Sequence, residues 1–315
     1  MRSGGFVALV LAIALGGYAA LLAAGRSPLY CTHSKSFFDT APCFQPETTG
    51  VSTDTLLVGD SSLLYGIRPD LVAQAGGGSS WNLGMVGPSF SYLAPWLIDR
   101  YLRQNGKPKA IILYFAPWDV IADDRIVDPQ WAPAAIALLR HGTLMEFARL
   151  VRHRPATIVE LPPLLASGIG LGRGRADEDL AALKRQRGYL DYAARSKTPL
   201  AADCIPGSLK APAYPPAADN QAALRALKAR YAARGIKVFV YVAPFAKCDG
   251  HLDAVRRAYA GVADVAPVEL DNRFFAADTP LSNHVHASGE GVGVLSARLA
   301  TFIRTTVQPQ IGGRP

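Results

Sequence analysis

At 315 residues the chain is long enough for one sizeable domain or two small ones, and with half its residues hydrophobic a well-buried core is within reach. The formal net charge of +8 raises the question of a nucleic-acid partner, but no stretch combines a basic run with interleaved aromatics, so no nucleic acid is expected. The four cysteines include no CxxC pair, which argues against a zinc site.

The run from Gly4 to Gly25 carries no charge and is rich in Ala, Leu and Val. About 20 apolar residues span a bilayer as a helix. Arg2 precedes the run, which predicts a cytoplasmic N-terminus and an exported remainder. A signal peptide cleaved near Ala23-Ala24-Gly25 is the rival reading, but the run exceeds the usual apolar core of about 7–15 residues. The expectation is an uncleaved signal anchor over residues 1–26, a single-pass inner-membrane protein with its main domain in the periplasm or outside the cell. Residues 27–52 are polar, with Pro28, Pro42 and Pro46, and read as an irregular lead-in. Two disulfides, Cys31–Cys43 and Cys204–Cys248, are the simplest pairing for an oxidising compartment, although three pairings satisfy four cysteines.

Strands and helices then alternate. Thr55–Gly59, Ser80–Gly84, Ala110–Phe115, Lys237–Ala243 and Pro267–Leu270 read as strands, the third apolar on both faces as a central parallel strand should be. Helical patterns fall near Ser89–Gln104, Asn220–Arg234, Leu252–Ala260 and Gly289–Thr305. The pattern predicts an α/β fold with a three-layer, flavodoxin-like parallel sheet of about five strands, preceded by an N-terminal transmembrane helix. The main domain is expected over residues 53–308. Residues 131–216 interrupt it with helical segments near Pro133–Val151 and Glu178–Arg195 and read as an inserted cap. The densest basic segment, Arg140 to Arg154, reads as a solvated helix face, with a patch for anionic lipid or polysaccharide as the alternative.

Sites in open parallel sheets form outside the carboxyl ends of strands. Ser61 follows the first strand in Gly59-Asp60-Ser61. Its hydroxyl is suited either to cap the next helix or to attack a substrate. The second strand runs into Asn82-Leu83-Gly84-Met85-Val86-Gly87, whose Gly87 N–H is a candidate oxyanion donor. Before the last helix, Asp278-Thr279-Pro280-Leu281-Ser282-Asn283-His284-Val285-His286 offers a candidate base. A His-x-His pair is also a metal pattern, but no other His or Cys falls near it, so no metal is expected.

Gly-Asp-Ser, then Asn-Leu-Gly-x-x-Gly, then His-x-x-x-x-Gly opening the last helix together resemble the SGNH/GDSL hydrolase superfamily, over Thr55 to Ile303. The resemblance implies Ser61 as nucleophile, His286 as base, and the Ser61 and Gly87 N–H groups in an oxyanion hole. Two positions depart from the family pattern. Trp118, in Ala116-Pro117-Trp118-Asp119, stands where the family has an oxyanion-hole Asn, and its indole N–H is one donor. Asn283 stands where an Asp usually orients the histidine, and Asp278 is the nearest acid. Membrane-anchored members of the superfamily take part in alginate O-acetylation and teichoic-acid D-alanylation, beside a membrane-bound O-acyltransferase. By that resemblance the chain is expected to move or remove acyl groups on a cell-surface or extracellular polysaccharide, with no cofactor. The alternative is a degenerate SGNH fold that binds glycan or acts as a scaffold for the acyltransferase.

Overall fold

The structure is a computed structural model that describes residues 3–27, 37–86, 93–116, 131–168, 176–191, 218–244, 268–269 and 286–312. In chain order its helices and strands are α1 (Ser3–Arg26), α2 (Phe37–Phe44), β1 (Thr55–Gly59), α3 (Ser61–Gly66), α4 (Pro69–Gln74), β2 (Ser80–Gly84), α5 (Leu93–Gln104) and β3 (Ala110–Phe115). Then follow α6 (Trp131–His141), α7 (Leu144–His153), α8 (Thr157–Gly168), α9 (Ala176–Arg185), α10 (Ala218–Ala232), β4 (Lys237–Val242), β5 (Val268–Glu269), α11 (Gly291–Phe302) and α12 (Gln308–Ile311). The chain divides into two compact units. One comprises Met1–Pro46 with Gln130–Leu180, the other Glu47–Pro129 with Ala181–Pro315.

The second unit is built on a parallel sheet in the order β2-β1-β3-β4-β5. That is the flavodoxin-like order, with its switch point between β1 and β3. Four strands have five or six residues, and β5 has two. β1 and β3 are buried along their whole length, so both of their faces are covered. Such strands read as unbroken apolar runs, and TLLVG and AIILYF carry no alternation. Tyr114 stacks on Tyr241 with centroids 5.3 Å apart, and Phe302 of α11 packs edge-on against Phe239 and Tyr241. α11 thus covers one face of the sheet beside β4.

The first unit is helical. α1 and α2 pack against α6, and α8 packs against α1 and α6. Residues 27–52 are not irregular throughout, because α2 occupies Phe37–Phe44 with Pro42 inside it, and a 3₁₀ turn, Gln45–Glu47, follows. A proline within a helix loses one backbone hydrogen bond. Here Ala41, Cys43 and Phe44 are buried and His141 of α6 donates to the Cys43 carbonyl at 2.9 Å, so tertiary packing outweighs that loss. Cys43 is disulfide-bonded. Cys31, Cys204 and Cys248 lie outside the described residues, as does the predicted helix Leu252–Ala260.

The helix expected over Pro133–Val151 is two helices. Thr143 caps α7 through a reciprocal capping box with Glu146, which restarts the helix after Gly142. Among the described residues no helix is long and apolar enough to cross a membrane. The anticipated anchor falls on α1, where apolar side chains such as Phe6, Val7, Leu9 and Val10 lie outside the described residues. The fold shown is the α/β sheet and its helices.

Candidate active site

β1 ends at Gly59, which pairs with Gly84 on one side and Tyr114 on the other. Both glycines are required by close approach. A Cβ at Gly59 would stand 1.8 Å from the Tyr114 carbonyl oxygen, and one at Gly84 would stand 2.6 Å from the Leu64 nitrogen. Their bareness lets α3 seat directly on the carboxyl edge of the sheet.

Asp60 makes the turn from β1 into α3. Its backbone is extended, and its side chain is the N-cap. Oδ1 accepts from the Ser62 N–H at 2.7 Å and from the Ser62 hydroxyl. Oδ2 accepts from the Ala116 N–H at 2.6 Å, just past β3. One buried carboxylate thus fastens the start of α3 to the end of β3, across the switch point of the sheet.

The cap settles how Ser61 is used locally. Asp60 takes the Ser62 N–H as the side-chain cap, and among the described residues the Ser61 hydroxyl accepts from no helix N–H. Ser61 Oγ instead lies 2.9 Å from His286 Nε2, across 225 residues of sequence. With the ring proton on Nδ1, the hydroxyl donates to Nε2.

His286 is held against α3. The Tyr65 ring meets it edge-on with centroids 5.8 Å apart. Just beyond it, buried Ser288 accepts the N–H of Gly291, the first residue of α11, at 3.1 Å. α11 packs on α3 and α4, and Ser296 accepts the Arg68 N–H at 3.0 Å. Ser61 and His286 are half-buried, while Asp60, Ser62 and Asn82 behind them are buried. A pair that reacts must be reachable, and its supports must not move.

No family model matches this chain, and no curated protein or solved structure matches it. The site stands on its own geometry.

Asn82 has a supporting role. Its Nδ2 donates to the Leu63 and Ile67 carbonyls at 2.8 Å each, and its Oδ1 accepts from the Gly84 N–H at 2.8 Å. It ties the end of α3 to β2. Leu190 N–H donates to the Leu64 carbonyl at 3.2 Å, which fastens the same helix from the segment after α9. Burial, and then its neighbours Tyr241 and Asp60, hold the Tyr114 phenol well above its ordinary value. Tyr114 therefore stays protonated and offers no base at the strand end.

Of the residues singled out in the sequence, the structure brings together Ser61 and His286. Gly87, Trp118, Asn283 and Asp278 lie outside the described residues. Among the described residues no cluster of three or more His, Cys, Asp or Glu is placed to hold a metal. Sequence reasoning missed Asp60, Tyr65, Asn82 and Ser288 as supports. Asp60 had a readable signal, an acid directly between an apolar strand and a helix start. Asn82 had one too, as a carboxamide between Trp81 and Leu83 within a predicted strand.

Proposed function

We propose that the chain is a membrane-anchored acyl-transfer enzyme of the SGNH/GDSL type, an O-acetyltransferase or acetylesterase acting on a cell-surface or extracellular polysaccharide. The observation that carries the reading is the 2.9 Å contact of Ser61 Oγ with His286 Nε2, at a helix whose cap is supplied by Asp60. A serine left free by the cap and joined to an imidazole is the arrangement of an activated nucleophile.

In this mechanism His286 Nε2 takes the Ser61 proton as Oγ attacks the acyl carbonyl. The carbonyl oxygen gains the negative charge, and the N–H of Ser61, the N–H of Gly87 and the indole N–H of Trp118 stabilise it. The ester C–O bond then breaks and the imidazolium protonates the leaving alkoxide. An acyl-Ser61 ester remains. A sugar hydroxyl or water, deprotonated by His286, attacks that ester and frees Ser61. Asn283 or Asp278 orients the imidazole. α1 serves as the single-pass anchor that holds the domain beside the inner membrane and a membrane-bound O-acyltransferase.

The departures at Trp118 and Asn283 favour a second reading, a non-catalytic scaffold of the same fold. One experiment separates the two. The full chain is incubated with a fluorophosphonate probe and an aryl acetate. The wild type is expected to be labelled, Ser61→Ala to lose the label, and His286→Ala to slow labelling by roughly 10²–10⁴. A folded wild type with neither labelling nor hydrolysis selects the scaffold.

A further inference from the structure

The helical unit carries features that the Ser61 site does not use. Five of the six exposed large hydrophobics among the described residues belong to it: Leu15, Leu144, Met145, Ile158 and Val159. None has a core role, since α7 buries Phe147 and Leu150, and α8 buries Leu161 and Leu165. Beside the apolar residues of α7 stand exposed Arg149 and Arg152. Among the described residues neither pairs with an acid. Glu146 is occupied in the Thr143 capping box, and Glu160 is bound to Arg154 at 2.9 Å.

The end of α1 locates this surface. Its 24 residues are about 36 Å long at ~1.5 Å per residue, against a hydrocarbon core of about 30 Å. On the anchor reading of α1, a last turn at Gly25 stands at headgroup level. The unit grips α1 at that turn. A Cβ on Gly25 would meet Leu139 at 2.6 Å and Leu165 at 3.0 Å, so α6 and α8 touch its backbone. Arg26 Nε donates to the Leu139 carbonyl at 2.9 Å, and the Arg140 guanidinium donates to the Ser27 carbonyl at 2.6 Å. Leu144 follows Arg140 by four residues, no more than about 14 Å of chain. Val159 precedes Leu165 by six residues of helix, about 9 Å. On that reading both apolar pairs lie within about 15 Å of chain from the residues that grip the end of α1.

We propose that α7 and α8 dock on the outer leaflet of an anionic bilayer, with Leu144, Met145, Ile158 and Val159 entering the interface and Arg149 and Arg152 meeting lipid phosphates. The proposal rests on the anchor reading of α1. An amphipathic surface helix inserts about 5–10 Å, and basic residues beside its apolar face add attraction to anionic headgroups. The tethered helical unit is then a second foot on the membrane rather than a free cap.

The test uses the full chain in phosphatidylcholine vesicles with and without phosphatidylglycerol, each carrying a phospholipid with a photoactivatable headgroup. Cross-linked peptides are read by mass spectrometry. Labelling is expected at α1 in both vesicles, and at α7 and the start of α8 most strongly with phosphatidylglycerol. Raised salt should weaken only the α7 and α8 signal. A variant with Leu144→Glu, Met145→Glu, Arg149→Glu and Arg152→Glu changes exposed side chains only, and its melting temperature checks its folding. It should keep the α1 label and lose the α7 label by at least about fivefold. Labelled α1 with unlabelled α7 and α8, or with α7 labelling unchanged in the variant, overturns the docking and leaves the anchor standing. Unlabelled α1 overturns both.

Discussion

Asp60→Asn is the sharpest probe of how the site is held. The aspartate serves two buried backbone donors with two different oxygens, Ser62 N–H on Oδ1 and Ala116 N–H on Oδ2. A carboxamide has one acceptor oxygen. Whichever way it turns, one of those N–H groups faces an NH₂ and loses its partner. A hydrogen bond to a charged acceptor contributes ~1.5–3 kcal/mol, and a stranded buried donor carries ~1–3 kcal/mol of desolvation cost. The two figures describe one lost interaction, so the variant should lose about 2–3 kcal/mol. For a domain of this size each kcal/mol lowers Tm by about 2–4 °C, which predicts a fall of roughly 5–10 °C by circular dichroism. The hydroxyl of Ser61 sits one residue past this carboxylate, and small misplacements at a reacting centre cost up to ~10² in rate. Fluorophosphonate labelling of Ser61 should therefore slow by about tenfold or more. A Tm within about 1 °C of wild type together with an unchanged labelling rate would show that Asp60 does not hold α3 to β3.

Asn82→Ala removes three buried hydrogen bonds at once and should destabilise by about 3 kcal/mol, read as a lower urea midpoint at constant m-value; an unchanged midpoint would mean water replaces the carboxamide. Gly59→Ala drives a Cβ to 1.8 Å from the Tyr114 carbonyl, so the strand must shift; a loss of about 3 kcal/mol or more is expected, and a near-native melting curve would contradict the packing. Asp54 is held below its ordinary 3.8 first by its hydrogen bond to Lys109 and then by Ser79. An acid held low in the folded state stabilises above the unfolded value and loses that contribution as pH falls through the folded value. The pair is well exposed, so Asp54→Asn should cost no more than about 1 kcal/mol at neutral pH, and its Tm gap from wild type should close in acid.

Much of the sheet was legible without coordinates. β1 and β3 begin and end where the apolar runs do, because strands buried on both faces have few polar positions to blur their limits, and β2 also keeps its expected bounds. β4 differs by one residue from its expected end. The elements that were harder to read carry prolines. Pro42 lies inside α2, and Pro162 and Pro163 lie inside α8, where local propensity argues against helix. Those helices are held by neighbours, as burial of Leu161 and Leu165 in α8 shows, and a window of sequence has no access to neighbours.

The sequence by itself determined an α/β chain, the glycine-bounded strand before Ser61, and a histidine just ahead of the last helix. It left Ser61 divided between cap and nucleophile, since both uses want a hydroxyl at a helix start. Tertiary structure removes the capping use. The carboxylate of Asp60 reaches forward to Ser62 and across to Ala116, and this takes the capping role from its neighbour. The meeting of Ser61 with His286 was also beyond any local signal. Spacing along the chain carries no distance in space. The parallel β2-β1-β3-β4-β5 order and the packing of α11 on α3 and α4 turn a separation of 225 residues into a contact of 2.9 Å.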